Sequence, residues 1–223
     1  MGLDEKMGGG VPGRSIAMIC GPAGSLKTTL AYSVLYHNAR TSRLKGLFIS
    51  MEQGRESLLA HMEAFGLGPD PGVAIVDVAA LRQAIKGGER PDWLGGLTAQ
   101  LRRYRDEVGF DLLALDSLDA LYALTTFTNP RNEIFHFVEE LRALGGTAFL
   151  LVESPRDQAR FGQHGVEEFL ADGILHLRLK EADVGPSTTV RRYLGVVKMR
   201  GVNHPMDYYP LVVEKGRFAI VTK

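Results

Sequence analysis

Short apolar runs alternate with longer amphipathic segments along most of the chain. Residues 15–20, 46–51, 73–78, 111–116 and 147–152 predict buried β-strands, because each run is mostly apolar and is bounded by polar residues, glycine or proline. Residues 28–39 and 56–65, and the helical spacing of apolar positions in 97–108 and 134–144, predict the intervening helices. Strands that alternate with helices indicate an α/β fold with a largely parallel central sheet.

The pattern changes after Gly173. Residues 174–179, 190–199, 208–213 and 218–221 read as successive strands, with turns at 185–186 and 215–216. We expect these strands to extend the same sheet in antiparallel fashion, so that residues 1–223 form a single domain.

Polar residues and glycine end several of the predicted strands. Gly21, Glu52, Asp116 and Glu153 each lie at or just beyond the carboxyl end of such a run. Ligands of largely parallel sheets bind outside the carboxyl ends of the strands. The placements therefore predict one shared rim that carries the functional site.

The segment that follows the first strand predicts a phosphate-binding loop, because it is close to the pattern G-x-x-x-x-G-K-[ST]. In such a loop, backbone N–H groups surround the phosphates and the next helix points its positive end at them. Lys27 would reach the β- and γ-phosphates, and the Thr28 hydroxyl would hold Mg²⁺. The segment consists of Gly21, Pro22, Ala23, Gly24, Ser25, Leu26, Lys27 and Thr28.

Leu26 departs from this pattern, which has glycine at that position. If the position requires a positive φ, leucine costs roughly 1–2 kcal/mol there, and its Cβ would crowd the phosphate. The alternative interpretation is a glycine-rich turn between strand and helix that binds no nucleotide.

Two carboxylates on the rim are candidates for chemistry. Asp116 closes an apolar run and precedes Ser117, which is the form of a Walker B carboxylate that orders Mg²⁺ and its waters. Glu52 could act as the general base that activates the attacking water, with Gln53 beside it to orient that water. The alternatives are a helix cap for Asp116 and a solvated or helix-terminal charge for Glu52.

A cationic pair follows the last long strand. Lys198 and Arg200 are two residues apart and therefore project to the same side of a strand. They could neutralise charge on a phosphoryl group in transfer. The alternative is a pair of surface charges that protects a sheet edge.

Composition narrows the class of protein. Lys plus Arg and Asp plus Glu both number 26, and this zero net charge disfavours a dedicated binder of nucleic acid or of a membrane surface. Apolar runs are shorter than the roughly 18 residues that suggest a transmembrane helix. A single cysteine, Cys20, fits a reducing compartment and a core position. We expect a cytoplasmic protein.

These residues, in this order, resemble the KaiC-like branch of the RecA superfamily of ATPases. The resemblance covers nearly the whole chain and implies a RecA-like P-loop core that binds ATP and Mg²⁺. The segments that carry it are 2–5, 8–13, the phosphate loop, Glu52, Asp116-Ser117, 166–169, 171–173, Lys198-x-Arg200-Gly201-x-x-His204 and Tyr209-Pro210.

The resemblance also implies roles for particular residues. ATP would lie on the loop from Gly21 to Thr29, with Thr28 and Asp116 at the metal and Glu52 as the catalytic glutamate. Lys198 and Arg200 would reach the nucleotide of a neighbouring subunit, bordered by Asn203 and His204. Assembly into a homo-oligomeric ring, commonly a hexamer, is implied as well.

Three functions remain open from the sequence. The first is an ATPase whose sites lie between subunits. The second is an ATP-gated scaffold for an unidentified protein partner, favoured by Leu26 and by Gln53, which stands where the family often has a second acidic residue. The third, which zero net charge disfavours, is a DNA-binding filament that uses the basic and aromatic residues of the loop 154–165.

Overall fold

The protein is an α/β sandwich built on one long sheet. The computed structural model describes residues 2–85, 92–154, 161–184 and 187–222. Within them the strands are β1 (Ile16–Gly21), β2 (Gly46–Ser50), β3 (Val73–Asp77), β4 (Leu112–Asp116), β5 (Thr147–Glu153), β6 (Gly173–Val184), β7 (Ser187–Met199), β8 (Tyr208–Glu214) and β9 (Arg217–Ile220). The helices are α1 (Leu3–Lys6), α2 (Lys27–Ser42), α3 (Arg55–Ala64), α4 (Val78–Ala84), α5 (Trp93–Glu107), α6 (Leu118–Leu124), α7 (Pro130–Ala143) and α8 (Glu167–Leu170).

The strand order is β3-β2-β4-β5-β1-β6-β7-β8-β9. The first six strands of this order are parallel to one another, and β7, β8 and β9 continue the sheet in antiparallel fashion. The predicted mostly parallel sheet with C-terminal antiparallel additions is therefore confirmed.

The central strands are apolar along their whole length because both faces of the sheet are covered. In β1, Ile16, Met18 and Cys20 pack into the core on one face, and Ala17 and Ile19 pack into the core on the other. All five side chains are buried. Such two-sided burial explains why these strands read as continuous apolar runs.

The register of the parallel strands aligns their carboxyl ends. Gly21 of β1 lies opposite Glu153 of β5, and Ser50 of β2 lies opposite Asp116 of β4. Glu52 follows β2 by two residues. The predicted rim therefore exists, and the connections that leave it carry the candidate site.

The short helices are the elements that the hydrophobic pattern does not reveal. Helices α1 and α8 have four residues each, and α4 and α6 have seven, which is too few for a helical period to stand out. The predicted turn at 215–216 is present, with φ of 48° at Lys215 and 72° at Gly216. The predicted turn at 185–186 lies outside the described residues.

None of the helices in the described ranges has the length and apolar character that crossing a membrane would require.

Candidate nucleotide site

The loop between β1 and α2 has the geometry that the sequence pattern predicts. Helix α2 begins at Lys27, so its free N–H groups point into the loop. Leu26 precedes it in the left-handed conformation, with φ 73° and ψ 32°. The condition that makes leucine costly is therefore met, and the backbone here carries strain of roughly 1–2 kcal/mol.

The Lys27 side chain folds over the loop. Its ammonium group donates to the carbonyl oxygen of Gly21 at 2.9 Å and to that of Pro22 at 3.2 Å. These contacts place the positive charge at the centre of the loop. A phosphate bound there would meet Lys27 and the start of α2 together.

Hydroxyl groups with unused hydrogen-bonding capacity line the loop. Ser25 and Thr29 are almost fully buried, and within the described part of the chain their side-chain oxygens have no hydrogen-bond partner. A Cβ on Gly21 would come within 2.7 Å of the Ser25 hydroxyl and 2.9 Å of the Leu177 backbone, so only glycine fits there. Buried polar atoms without partners and a tightly packed glycine are what a phosphate-binding loop needs.

Asp116 lies next to the loop at the end of β4. It is 4% exposed, and burial raises its pKa to about 6. A hydrogen bond from Thr28 and the charge of Lys27 oppose this rise, whereas the charge of Glu52 adds to it. The Thr28 hydroxyl and the Asp116 carboxylate are thus in contact and offer the hard oxygen ligands that Mg²⁺ prefers.

Glu52 is held toward Asp116 by Ser117. The Ser117 hydroxyl donates to Glu52 Oε1 and also accepts from the backbone N–H of Ala120, which caps α6. Met51 donates its backbone N–H to the Asp116 carbonyl at 2.6 Å, which ties the two strand ends together. The peptide bond between Asp116 and Ser117 is cis. Glu52 is solvent-exposed and so remains open to a ligand.

Sequence reasoning missed a further carboxylate on this rim. Asp119, in the first turn of α6, accepts the backbone N–H of Glu153 at 2.7 Å, and burial raises its pKa. It joins the ends of β4 and β5 beside the loop. A signal was present, because Asp119 lies two residues after Ser117 in a segment that starts at a strand end.

Arg192 was missed as well. Its Nε donates to the Gly24 carbonyl at 3.3 Å, so strand β7 contacts the phosphate loop. The two residues are separated by 168 positions in the chain, and no local pattern connects them.

Lys198 and Arg200 lie far from the loop of their own chain. Met199 pairs with Gly173, and Gly173 pairs with Ala17 near the amino end of β1. Since four residues separate Ala17 from Gly21, the cationic pair lies on the order of 13 Å along the sheet from the loop. Both side chains instead reach the carbonyl of Phe169 in α8, Lys198 at 3.5 Å and Arg200 at 2.9 Å. The two side chains therefore converge on one carbonyl, although Arg200 lies in the turn after β7 and not in the strand.

Asn203 and His204 follow this pair in the segment between β7 and β8. Asn203 is exposed. His204 is partly buried, and its Nδ1 lies 3.3 Å from the Pro205 carbonyl. The structure thus divides the predicted residues into two groups at opposite ends of β1, a rim group around the loop and a group around Arg200.

The loop considered for DNA binding is described from Phe161 onward, and its residues 155–160, which include Arg156 and Arg160, lie outside the described part. The Phe161 ring packs on His176, with ring centroids 4.9 Å apart. The His164 ring packs against Tyr122 and Phe127 at 5.1 and 5.0 Å. Both rings are committed to internal packing and do not form a platform for stacked bases.

The fold and this site define a P-loop ATPase of the RecA type, and comparison with known proteins gives the family. The model of the family "ATPase: KaiC" matches residues 1–223. The chain belongs to the KaiC ATPase family.

Relatives of two lengths match the chain. A circadian clock protein KaiC3 from Synechocystis is 28% identical over 95% of this chain but only 42% of its own length. A UPF0273 protein from Thermotoga maritima is 30% identical over 96% of this chain and 91% of its own length. The chain thus spans less than half of the clock proteins and nearly all of the shorter relative.

A solved structure confirms the fold. The crystal structure of a KaiC-like protein from Pyrococcus horikoshii superimposes with a TM-score of 0.83, covering 99% of this chain and 95% of that one, at 24% sequence identity. The family model thus gives the family, and this neighbour gives the fold.

Proposed function

We propose that this protein hydrolyses ATP at sites shared between adjacent subunits of a ring. The observation that carries the proposal is the separation of the two groups of residues. The phosphate loop lies at the carboxyl end of β1, whereas Lys198 and Arg200 lie near its amino end. At this separation the two groups of one chain would not meet at one nucleotide, whereas two copies packed side by side would bring the rim of one to the Arg200 group of the other.

The rim group would bind ATP and its metal. Backbone N–H groups of the loop from Gly21 to Thr29 and the Lys27 ammonium would hold the phosphates. Thr28 and Asp116 are in contact and would hold Mg²⁺. When bound, Mg²⁺ would neutralise charge on the β- and γ-phosphates.

Glu52 would act as the general base. Its hydrogen bond from Ser117 orients the carboxylate beside Asp116, and its exposure leaves room for the attacking water. The Gln53 carbonyl is occupied by the Ser50 hydroxyl at 2.7 Å, which fixes the turn that carries Glu52.

The neighbouring subunit would supply the second group. Lys198 and Arg200 would stabilise the negative charge that develops on the transferring phosphoryl group, with Asn203 and His204 beside them. An arginine supplied by a neighbour is worth about 10³–10⁵ in rate in related phosphoryl transfers. Hydrolysis would therefore require assembly.

The first test is the substitution Arg200→Ala. We expect a large fall in phosphate release with little loss of ATP binding, because Arg200 is not part of the loop that holds the phosphates. Equimolar mixing of Arg200→Ala with Glu52→Gln subunits should restore activity, since some seams then combine an intact Glu52 with an intact Arg200. Wild-type turnover by Arg200→Ala, or mixtures as inactive as their components, would refute catalysis in trans.

A second candidate function is a scaffold that binds ATP without turnover. The strained left-handed conformation of Leu26 favours it, since an altered loop can hold a nucleotide in a geometry unsuited to attack. In this case ATP would stabilise the assembly, and a protein partner would bind the ATP-bound assembly. Phosphate release by the wild-type protein no faster than by Glu52→Gln would favour the scaffold over the ATPase.

A further inference from the structure

Asp172 lies at the centre of the contacts that hold Arg200. Its carboxylate accepts from Arg200 Nη1 at 3.1 Å on one oxygen, and from Arg142 Nη1 at 2.7 Å and the Ile16 backbone N–H at 3.0 Å on the other. The Asp172 side chain is 13% exposed, whereas the Arg200 side chain is 55% exposed. A mostly buried acid thus holds a mostly exposed guanidinium.

The turn around Asp172 holds Lys198 as well. The Lys198 ammonium donates to the carbonyls of Glu168 at 2.8 Å and Ala171 at 2.6 Å. Arg142 donates in addition to the Leu170 carbonyl at 3.2 Å, which fixes the end of α8. Both cations are therefore oriented by the short stretch from Glu168 to Asp172.

The same turn is joined to the strand that leads to the phosphate loop. The backbone N–H of Asp172 donates to the Ile16 carbonyl at 2.7 Å, and the backbone N–H of Arg200 donates to the Asp172 carbonyl at 2.8 Å. The backbone of Asp172 thus connects Ile16, the first residue of β1, with Arg200 in the turn after β7.

The charge on Asp172 is maintained in this setting. Partial burial alone would raise its pKa, but hydrogen bonds from Arg142, Ile16 and Arg200 outweigh burial and hold the pKa below the ordinary value. Asp172 therefore stays ionised at neutral pH beside Arg200.

We propose that Asp172 is a positioning residue that aims Arg200 at the nucleotide of the neighbouring subunit. This inference rests on the proposed function. An arginine side chain has many rotamers, and restricting them before the subunits meet lowers the entropy lost in the transition state. Asp172 does so without touching the nucleotide of its own chain.

The test compares Asp172→Asn with Glu139→Gln. Asparagine cannot accept from Arg200 and from Ile16 and Arg142 together as the carboxylate does, so we expect turnover to fall up to about 100-fold, as for a misaligned catalytic group. ATP affinity should stay unchanged because the loop is intact. Glu139 pairs with Arg142 at 3.5 Å and does not contact Arg200, so Glu139→Gln should keep wild-type turnover.

Mixed subunits separate positioning from general damage. If Asp172 acts through Arg200, Asp172→Asn should regain activity when mixed with Glu52→Gln but not when mixed with Arg200→Ala. A variant with a damaged fold would gain nothing from Glu52→Gln, because its own phosphate loop would be affected too. Asp172→Ser, which keeps an oxygen for the Ile16 N–H, serves as the second variant if Asp172→Asn is unstable.

The outcomes separate the role of Asp172 from the proposed function. Wild-type turnover by both Asp172 variants, or restoration by Arg200→Ala instead of Glu52→Gln, overturns the role of Asp172 and leaves the proposed function intact. Failure of Glu52→Gln and Arg200→Ala to complement each other contradicts the proposed function itself.

Discussion

At the scale of single residues, Leu26 is where sequence and backbone conflict. Its φ of 73° is in a region that suits glycine, yet its side chain packs against the core on the α2 side of the sheet. At this position backbone strain therefore lowers the free energy of unfolding, whereas burial of the side chain raises it. Substitutions can separate the two effects because glycine removes both, whereas alanine removes the packing alone.

We expect Leu26→Gly to change the free energy of unfolding by less than about 1 kcal/mol, since relief of strain offsets the lost packing. Leu26→Ala should destabilise the protein by more, because it keeps a Cβ at positive φ. Leu26→Gly should also bind ATP more tightly, having no Cβ near the phosphates. Urea unfolding and calorimetry measure these effects, and greater stability of the alanine variant would contradict the argument.

His176 is a second residue whose surroundings affect the stability of the protein, in this case through its pH dependence. It is 6% exposed, and its Nδ1 lies 2.9 Å from the Tyr208 hydroxyl. Burial, reinforced by the charge of Arg178, lowers its pKa from 6.5 to about 4. The unfolded chain therefore takes up this proton at a higher pH than the folded chain does.

Stability that depends on neutral His176 is present above pH 6.5 and is lost as the pH falls toward 4. The loss is at most about 3.5 kcal/mol, since one pKa unit corresponds to about 1.4 kcal/mol. His176→Gln should flatten the decline in unfolding free energy between these pH values, whereas substitution of the exposed His136 should not. An unchanged slope in His176→Gln would show that this histidine does not titrate as described.

At the scale of secondary-structure elements, the sequence predicts what depends on continuous patterns. The central strands were predictable because burial on both faces makes every position apolar, as in β1. The phosphate loop was predictable because its backbone geometry restricts which residues can occupy it. Helices α6 and α8 were not, because their few residues are stabilised by contacts from elsewhere in the chain, such as the Lys198 ammonium on the carbonyls around α8.

The candidate site was predictable only where it is local in the chain. Glu52 and Asp116 follow from their places at strand ends, whereas Arg192 contacts a loop 168 positions away and Asp172 brings together Ile16, 156 positions away, and Arg200, 28 positions away. The distance of Lys198 and Arg200 from their own loop follows from strand register, which spacing alone does not fix.

At the scale of the whole molecule, the nine-stranded sheet in the described part of the chain keeps the rim and the Arg200 group apart. The two groups lie at different ends of β1, so in the proposed assembly the rim of one subunit would face the Arg200 group of the next. Contacts of this head-to-tail kind close into rings when the rotation between copies permits. ATP bound at the seam would then contribute to the stability of the assembly.

We expect the mass in solution to rise to that of a ring, commonly a hexamer in this family, when ATP and Mg²⁺ are added. Glu52→Gln should assemble as well as the wild type and persist longer, because it retains ATP. Lys27→Ala, which removes the ammonium from the loop, should require much more ATP. Light scattering or native mass spectrometry reports the result, and a monomer under all of these conditions would exclude a shared site.

The hydrogen bonds that Lys27 makes to its own loop affect which ligands the loop would select. Its ammonium already bonds to two carbonyl oxygens, at Gly21 and Pro22. An incoming anion competes with those carbonyls and prevails only if it offers the lysine more negative charge than they do. Singly charged anions gain little from that exchange, whereas a triphosphate can engage the ammonium and the amides of the loop at once. In the proposed site, the position of the Lys27 side chain would therefore favour highly charged anions over singly charged ones.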